Sequence, residues 1–293
     1  MKFVSEKVNE NTIYKYYFTN LSDLYNYLKS NPPVDTNIFK EQHSLCAEED
    51  FAGEPLDIAL EYLKGGYNIR LKEFNMAINS INVLGYRDED SRKLVRGLHG
   101  GTYLSPLVAA GVPDCMIRYD RDSAPKCITI YFQINYNWKT TPKQIFNRGI
   151  ATINLIQALE EKGYLVDLKV FELLKYDEEY VDITVNIKNI DELLNITKCY
   201  YPLVGKEFFR RVMFRVIESV PVKNNWYDGY GFKLSDKETR EFYKLKEKDL
   251  LISEPYTMGI MGEDIYEDTI NMFETLNVIN EFDLSKIKTK TLR

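Results

Sequence analysis

The sequence predicts an α/β fold in which a partly parallel central sheet is flanked by helices. Residues 127–134 form a nearly continuous apolar run, which is typical of a strand buried on both faces. A strong helix start follows, because Thr141 is a cap residue, Pro142 suits the first helical position and Gln144 completes a capping box. A strand followed by a crossover helix indicates parallel strands with right-handed connections.

More strands and a second helix are predicted after the capped helix. That helix ends at Gly163, since glycine accepts the left-handed conformation that terminates helices. The polar turn 175–179 lies between two runs rich in β-branched and aromatic residues, which predicts a hairpin. The predicted order after Gly163 is two hairpin strands, a helical stretch and a last strand: 164–174, 180–187, from about 191, and 212–217.

Both ends of the chain are predicted to be mainly helical. A short strand at 12–18 precedes a helix capped by Asn20, and further helical segments begin at Pro55 and Leu71. Residues 264–284 place acidic and apolar side chains at helical spacing, which predicts an acidic amphipathic helix. We therefore divide the chain into an N-terminal mainly helical region, a central α/β domain and a C-terminal helical tail: residues 1–95, 96–234 and 235–293.

Composition restricts the class of protein. The 293 residues include 38 Lys and Arg against 44 Asp and Glu, and the net charge of −6 excludes a strongly basic nucleic-acid coat but not a local basic groove. No apolar run approaches the length of a membrane span, and the charged start of the chain does not resemble a signal peptide. The four cysteines form no CxxC pair. We expect a cytoplasmic protein with reduced thiols and no membrane contact.

The predicted order of strand, helix, antiparallel hairpin, helix and strand resembles the first half of a von Willebrand factor A domain. That family carries a DxSxS metal site after its first strand, and the matching positions here are Asn135, Asn137 and Lys139. All three depart from the motif, since two are amides and one is a lysine. The resemblance implies a degenerate, metal-free unit in which the Lys139 ammonium stands in place of the metal. These three residues are therefore candidates for binding a partner.

A second resemblance, over about residues 50–232, is to a family of uncharacterised phage and prophage proteins. The stretches that carry it are 53–57 with 65–67, 110–116, 147–149 and 208–215. The resemblance implies a phage-encoded accessory protein that acts in the host cytoplasm. It implies no particular activity.

Basic residues provide a further candidate binding surface. Its members are Arg148, Arg210, Arg211 and Arg215, with Trp226 nearby in the sequence. These side chains would suit nucleic acid, by phosphate contact and stacking, or a protein partner, since Trp and Arg are common interface anchors. The acidic net charge argues against nucleic acid as the main ligand. Within the capped helix, Asn147 and Arg148 would alternatively satisfy neighbouring backbone groups while Gly149 permits close packing against the sheet.

No catalytic signature is present. The loop at 97–101 contains His99 but lacks a GxSxG partner motif, and two histidines cannot form a His-rich zinc site. Paired carboxylates would have to come from Asp114, Asp120, Asp122, Asp182 or Glu218. The first three would bind a cation as in a metal nuclease, or remain solvated loop charges.

The sequence therefore favours a non-enzymatic phage accessory protein, without metal or cofactor, that binds a host or phage protein and counters host defence. The alternatives are a nucleic-acid-binding protein or metal-dependent nuclease, and a virion structural or assembly component. The sequence does not indicate the oligomeric state.

Overall fold

The structure is a computed structural model that describes residues 2–8, 11–31, 43–82, 94–97, 102–103, 108–109, 111, 115–119, 126–222, 232–278 and 288–289. Its helices are α1 (Leu21–Ser30), α2 (His43–Cys46), α3 (Glu49–Ala52), α4 (Leu56–Gly65), α5 (Leu71–Ser80), α6 (Pro142–Glu161), α7 (Ile196–Val204), a π-helix (Phe208–Met213), α8 (Phe214–Ile217), α9 (Asp236–Tyr243) and α10 (Ile265–Thr275). Its strands are β1 (Lys2–Val8), β2 (Asn11–Phe18), β3 (Ile81–Asn82), β4 (Leu94–Gly97), β5 (Thr102–Tyr103), β6 (Met116–Tyr119), β7 (Cys127–Gln133), β8 (Leu165–Tyr176), β9 (Glu179–Lys188), β10 (Phe232–Lys233), β11 (Leu250–Ile252) and β12 (Lys288–Thr289).

A seven-stranded mixed sheet organises the fold. Its order is β1-β2-β9-β8-β7-β11, and β10 pairs with β8. Strand β7 is parallel to both β8 and β11, β2 is parallel to β9, and β8 and β9 form an antiparallel hairpin. The predicted α/β fold with a partly parallel central sheet is therefore confirmed. Strands from all three predicted segments join this sheet, so the boundaries near 95 and 235 do not divide it.

Local sequence signals account for the best-predicted elements. At the start of α6, the Thr141 hydroxyl accepts a hydrogen bond from the Gln144 amide, and the Gln144 side chain accepts one from the Thr141 amide. The helix stops before Gly163, which has a φ of +85°. Asn20 caps α1 by accepting from the Asp23 amide. The predicted hairpin is confirmed as β8 and β9.

The strand predicted at 212–217 is wrong, because this segment is helical. The π-helix and α8 cover it, and its apolar side chains are buried on all sides of the helix. A helix buried all round gives the same continuous apolar run as a buried strand, so periodicity does not distinguish them. Strand β11 instead takes the sheet position beside β7.

The C-terminal helix is shorter than predicted. Helix α10 begins after its predicted cap, Asp264, whose carboxylate accepts from two backbone amides. It ends at Thr275, and Asn277 follows in a left-handed conformation with a φ of +53°. Asparagine is one of the few residues that accept this conformation readily, so it terminates the helix. Residues 279–284 of the predicted helix lie outside the described residues.

The two faces of the sheet are covered unequally. Alternate residues of β8, such as Val166 and Val170, face a large core formed with α1, α6, α7 and the π-helix. The residues between them, including Phe171 and Leu173, form a smaller core that α9 covers. The helical layer is therefore thick on one face of the sheet and thin on the other.

Gly149 sets the approach of α6 to a neighbouring helix. A Cβ atom at this position would lie 2.7 Å from the Leu203 carbonyl oxygen and 2.4 Å from Val204 Cγ1. The close packing expected at Gly149 is therefore present, but it is against α7 rather than the sheet. Only glycine allows this contact without moving a backbone.

We predict that Gly149→Ala destabilises the protein by about 1–3 kcal/mol, because the added methyl group forces α6 and α7 apart. Urea unfolding monitored by circular dichroism measures this change. Gly65→Ala is the matched control, since a Cβ there meets no atom within 4 Å and alanine favours a helix. Equal stabilities of the two variants would contradict the close-packing argument.

Candidate functional site

The candidate site lies at the carboxyl ends of β7 and β11. The chain passes from β7 through α6 to β8 on one side, whereas β11 lies on the other side of β7. Open α/β sheets bind ligands at such a reversal of strand order, in the crevice beyond the carboxyl ends of the strands. The residues that follow these two strands are 134–141 and 253–264, which we call the docking loops.

Arg148 connects the loop that follows β7 to the loop that follows β11. Its side chain is fully buried, and the guanidinium carbon lies 4.0 Å from the Phe132 ring centroid and 4.8 Å from that of Tyr136. Its Nη1 donates to the Ser253 carbonyl at 2.5 Å. Residue 148 therefore does satisfy a backbone group, in a loop far away in the sequence rather than in its own helix.

Two arginines of the π-helix hold another segment. Arg210 donates from Nη1 to the Phe51 carbonyl at 2.7 Å and from Nη2 to the Asn137 carbonyl at 3.4 Å. Arg211 donates to backbone carbonyls throughout 44–54: those of Ser44, Leu45, Ala47, Gly53 and Glu54. Both side chains are buried. The chain that contains α2 and α3 is thus attached to the π-helix through main-chain hydrogen bonds.

The prediction of an accessible basic surface is wrong. Arg148, Arg210 and Arg211 are all buried, and Arg215 is half-buried with its Nη1 3.9 Å from Glu218. Charge counting cannot separate such buried arginines from exposed ones, because both contribute equally to composition. The fifth candidate, Trp226, lies outside the described residues.

The three positions matched to the DxSxS motif separate in the structure. Asn135 is buried, and its Nδ2 donates to the Leu173 carbonyl at 3.5 Å. Asn137 is exposed, and its Oδ1 accepts from the Lys139 amide at 3.0 Å. Lys139 is also exposed, with its Nζ 5.2 Å from the Trp138 ring centroid. The expectation that the Lys139 ammonium fills the site beside Asn135 is wrong, and the buried cation at this strand end is Arg148.

Sequence reasoning missed Tyr136, which lies beside Arg148, and Glu172, which acts on Tyr136. Tyr136 is buried, and burial raises its pKa despite the nearby Arg148 and Arg210. Glu172 is buried in β8 among apolar neighbours, and burial raises its pKa well above the usual range. One signal was available, because a glutamate inside the otherwise apolar run 170–174 marks an unusual strand position.

Asp182 and Glu218 do not form a catalytic pair. Asp182 faces the thinner side of the sheet, where its Oδ1 accepts from the Tyr243 hydroxyl at 2.5 Å and from Thr184 at 3.1 Å. Glu218 lies in the helical layer and accepts from the amide and hydroxyl of Ser44. The other three carboxylates considered, Asp114, Asp120 and Asp122, lie outside the described residues, as does His99.

The described ranges contain neither a metal-ligand cluster nor a membrane-spanning helix. No group of three or more His, Cys, Asp or Glu side chains there is arranged to hold a metal ion. None of the helices described is long and apolar enough to cross a membrane. Of the cysteines whose side chains are described, Cys199 is buried, and Cys115 and Cys127 are half-buried.

We predict that Arg211→Met loosens the 44–54 segment and destabilises the protein by roughly 2–4 kcal/mol, because several buried carbonyls lose their donor. Hydrogen–deuterium exchange is expected to rise in 44–54 before it rises in β7 and β8. Arg240→Met, at an exposed position of α9, is the control and should change neither quantity. Unchanged exchange in 44–54 would show that Arg211 does not hold this segment.

The raised pKa of Asp182 makes the free energy of unfolding depend on pH. Burial raises the pKa of its carboxyl from 3.8 to about 6, although Tyr243, Thr184 and Lys15 oppose this. Because the folded state binds this proton more tightly than the unfolded state, stability falls as pH rises from about 4 to about 6. At 1.4 kcal/mol for each tenfold change in proton affinity, the cost above pH 6 is about 3 kcal/mol.

We therefore predict that Asp182→Asn matches the wild type in stability near pH 4 and becomes more stable than it towards pH 7. Urea unfolding at four pH values from 4 to 7 measures the difference. Asp177→Asn, in the exposed hairpin turn, provides the control and should show no such trend. A pH-independent difference for Asp182→Asn would mean that the carboxyl is already ionised at pH 4.

Comparison with known proteins identifies one family. A family profile described as "Domain of unknown function (DUF7192)" matches residues 5–280. No curated protein matches the chain. No solved structure matches it. The family match covers both docking loops, the buried arginines and nearly all of the sheet. The chain therefore belongs to the DUF7192 family.

Proposed function

We propose that this protein is a non-enzymatic binding protein that recognises a protein partner through the docking loops. The observation that carries the proposal is a set of large exposed side chains on these loops. Trp138 is 73 % exposed, Tyr256 77 % and Met261 59 %. Trp, Tyr and Met are enriched where proteins bind one another, and Trp and Tyr are frequent anchors of binding energy.

The docking loops are held by hydrogen bonds beneath these side chains. Lys143 Nζ donates to the Glu263 carbonyl at 2.8 Å, and Gln144 Nε2 donates to the Ile260 carbonyl at 3.2 Å. Gly262 packs directly against Gln144, where a Cβ atom would lie 2.9 Å from Gln144 Cγ. The second loop is thus fixed to the start of α6, close to the first loop. A surface ordered before binding loses less conformational entropy when a partner docks.

The scaffold is consistent with a degenerate von Willebrand A-like unit, which we retain as part of the proposal. The order β9-β8-β7-β11, with one antiparallel pair followed by two parallel pairs, supports it. Asn137 and Lys139 are exposed on the first docking loop and remain candidate contact residues. The resemblance to phage proteins supplies the proposed setting, in which a phage-encoded protein binds a host or phage protein in the host cytoplasm and counters host defence.

The alternative functions have less support. A nucleic-acid interface was expected to use the arginines, and their burial removes that argument. The carboxylates of the nuclease alternative lie outside the described residues. No observation on the described residues favours a virion component.

We predict that a photoreactive residue at the docking loops captures one discrete partner in infected cells. Trp138→p-benzoylphenylalanine and Tyr256→p-benzoylphenylalanine should give the same cross-linked protein after irradiation. Leu193→p-benzoylphenylalanine is the matched control, because Leu193 is 91 % exposed but follows β9, whose carboxyl end lies at the opposite edge of the sheet. Identical adducts at all three positions, or none at the loops, would contradict the proposal.

The affinity for the captured partner provides the quantitative test. Trp138→Ala should weaken binding about thirtyfold, since an interface anchor contributes about 2 kcal/mol or more. Leu193→Ala should leave it unchanged. Turnover of nucleotides or nucleic acid by the purified protein, in a screen of divalent metals, would overturn the non-enzymatic part of the proposal.

A further inference from the structure

Two buried cations at the candidate site lack a matching anion. Arg148 and Arg210 are both buried, and neither forms an ion pair with a described carboxylate. Glu254 attracts Arg148, but Glu254 is already in an ion pair with Lys233. Unbalanced buried charges are costly, because the protein interior screens them poorly and their hydration has been lost.

The other ionisable groups nearby do not supply the missing negative charge. Burial raises the pKa of Glu172 well above its usual range, which favours the uncharged form of this carboxyl. Burial likewise raises the pKa of Tyr136, whose hydroxyl therefore stays uncharged and able to donate. With Glu254 paired to Lys233, the positive charge of the two guanidinium groups exceeds the negative charge of the described side chains near them.

Several donors at this site have no acceptor. On Arg148, Nε and Nη2 have no hydrogen-bond partner, while Nη1 is used by the Ser253 carbonyl. Nε and Nη2 point in the same direction from the planar guanidinium, and this edge binds two oxygens of an oxyanion at once. Arg210 Nε is also without a partner. The Arg148 guanidinium carbon lies 4.8 Å from the Tyr136 ring centroid, and Arg210 donates to the carbonyl of the next residue, Asn137, so the three side chains lie close together.

We propose that Arg148, Arg210 and Tyr136 form a binding site for a phosphate group, or a tetrahedral oxyanion of the same charge. One doubly charged phosphate balances both guanidinium charges, whereas a carboxylate balances only one. The site lies at the reversal of strand order, where α/β sheets bind ligands. Arg210 also bonds the carbonyl of exposed Asn137, so the site lies directly under the first docking loop. This proposal does not depend on the protein-docking function.

Equilibrium dialysis with radiolabelled inorganic phosphate at pH 7.5 and constant ionic strength tests the site. We expect saturable binding of one phosphate per chain, displaced by sulfate and much less by acetate. Methyl phosphate distinguishes the source: tighter binding than phosphate indicates the phosphate group of a larger molecule, and weaker binding indicates the free ion. Either order supports the site, whereas an absence of saturable binding by the wild type overturns it.

Variants locate the binding to these residues. Arg148→Met should abolish phosphate binding, and Tyr136→Phe, which removes one hydroxyl and preserves the ring, should weaken it about tenfold or more. Arg70→Met is the matched control, because Arg70 also lies 4.0 Å from an aromatic ring centroid, that of Phe146, but is paired with Glu73. Binding that persists unchanged in Tyr136→Phe, or that is lost equally in Arg70→Met, would overturn the proposal, including when Arg148→Met does not fold.

Discussion

Buried guanidinium groups that donate to main-chain carbonyls connect the parts of this structure that secondary structure leaves separate. Arg148 holds the loop after β11, and Arg210 and Arg211 hold the segment around α2 and α3. Loops rarely run through a protein interior because their polar backbone groups would lose hydrogen bonds. An arginine with several donors solves this problem for several carbonyls together. The cost is a buried positive charge. Two of these guanidinium groups, those of Arg148 and Arg210, lie at the candidate site.

The sheet and the buried arginines each help to position the candidate site. Strand order brings the ends of β7 and β11 side by side, and the hydrogen bonds at the start of α6 fix the second docking loop. Aromatic and methionine side chains are then exposed above charged groups that are buried. The same edge of the sheet therefore combines the proposed docking surface with the proposed anion site.

Local signals predicted the elements whose causes are local. The capping box at Thr141, the stop at Gly163 and the hairpin turn need only neighbouring residues, so their prediction from sequence was correct. The strand predicted at 212–217 was wrong, since a helix buried on every side shows no helical periodicity in its apolar residues. The fate of Arg148 depends on Ser253, more than a hundred residues away, and no pattern near Arg148 contains that information. The predicted position of the Lys139 ammonium was wrong for a similar reason, because a match to a motif position does not determine where the side chain points.

The π-helix has an evolutionary consequence. Its wider turn contains one more residue than an α-helical turn would, and within it the adjacent residues Arg210 and Arg211 both point inward. Deletion of a single residue here would restore regular α-helical winding and leave the flanking turns in nearly the same orientation, because the wider turn accommodates one extra residue. The residues inside the stretch would change position, so Arg210 and Arg211 would lose their present alignment with the carbonyls of Phe51 and Ala47. The length of this short stretch is therefore constrained together with its two arginines, and homologues are expected to keep both.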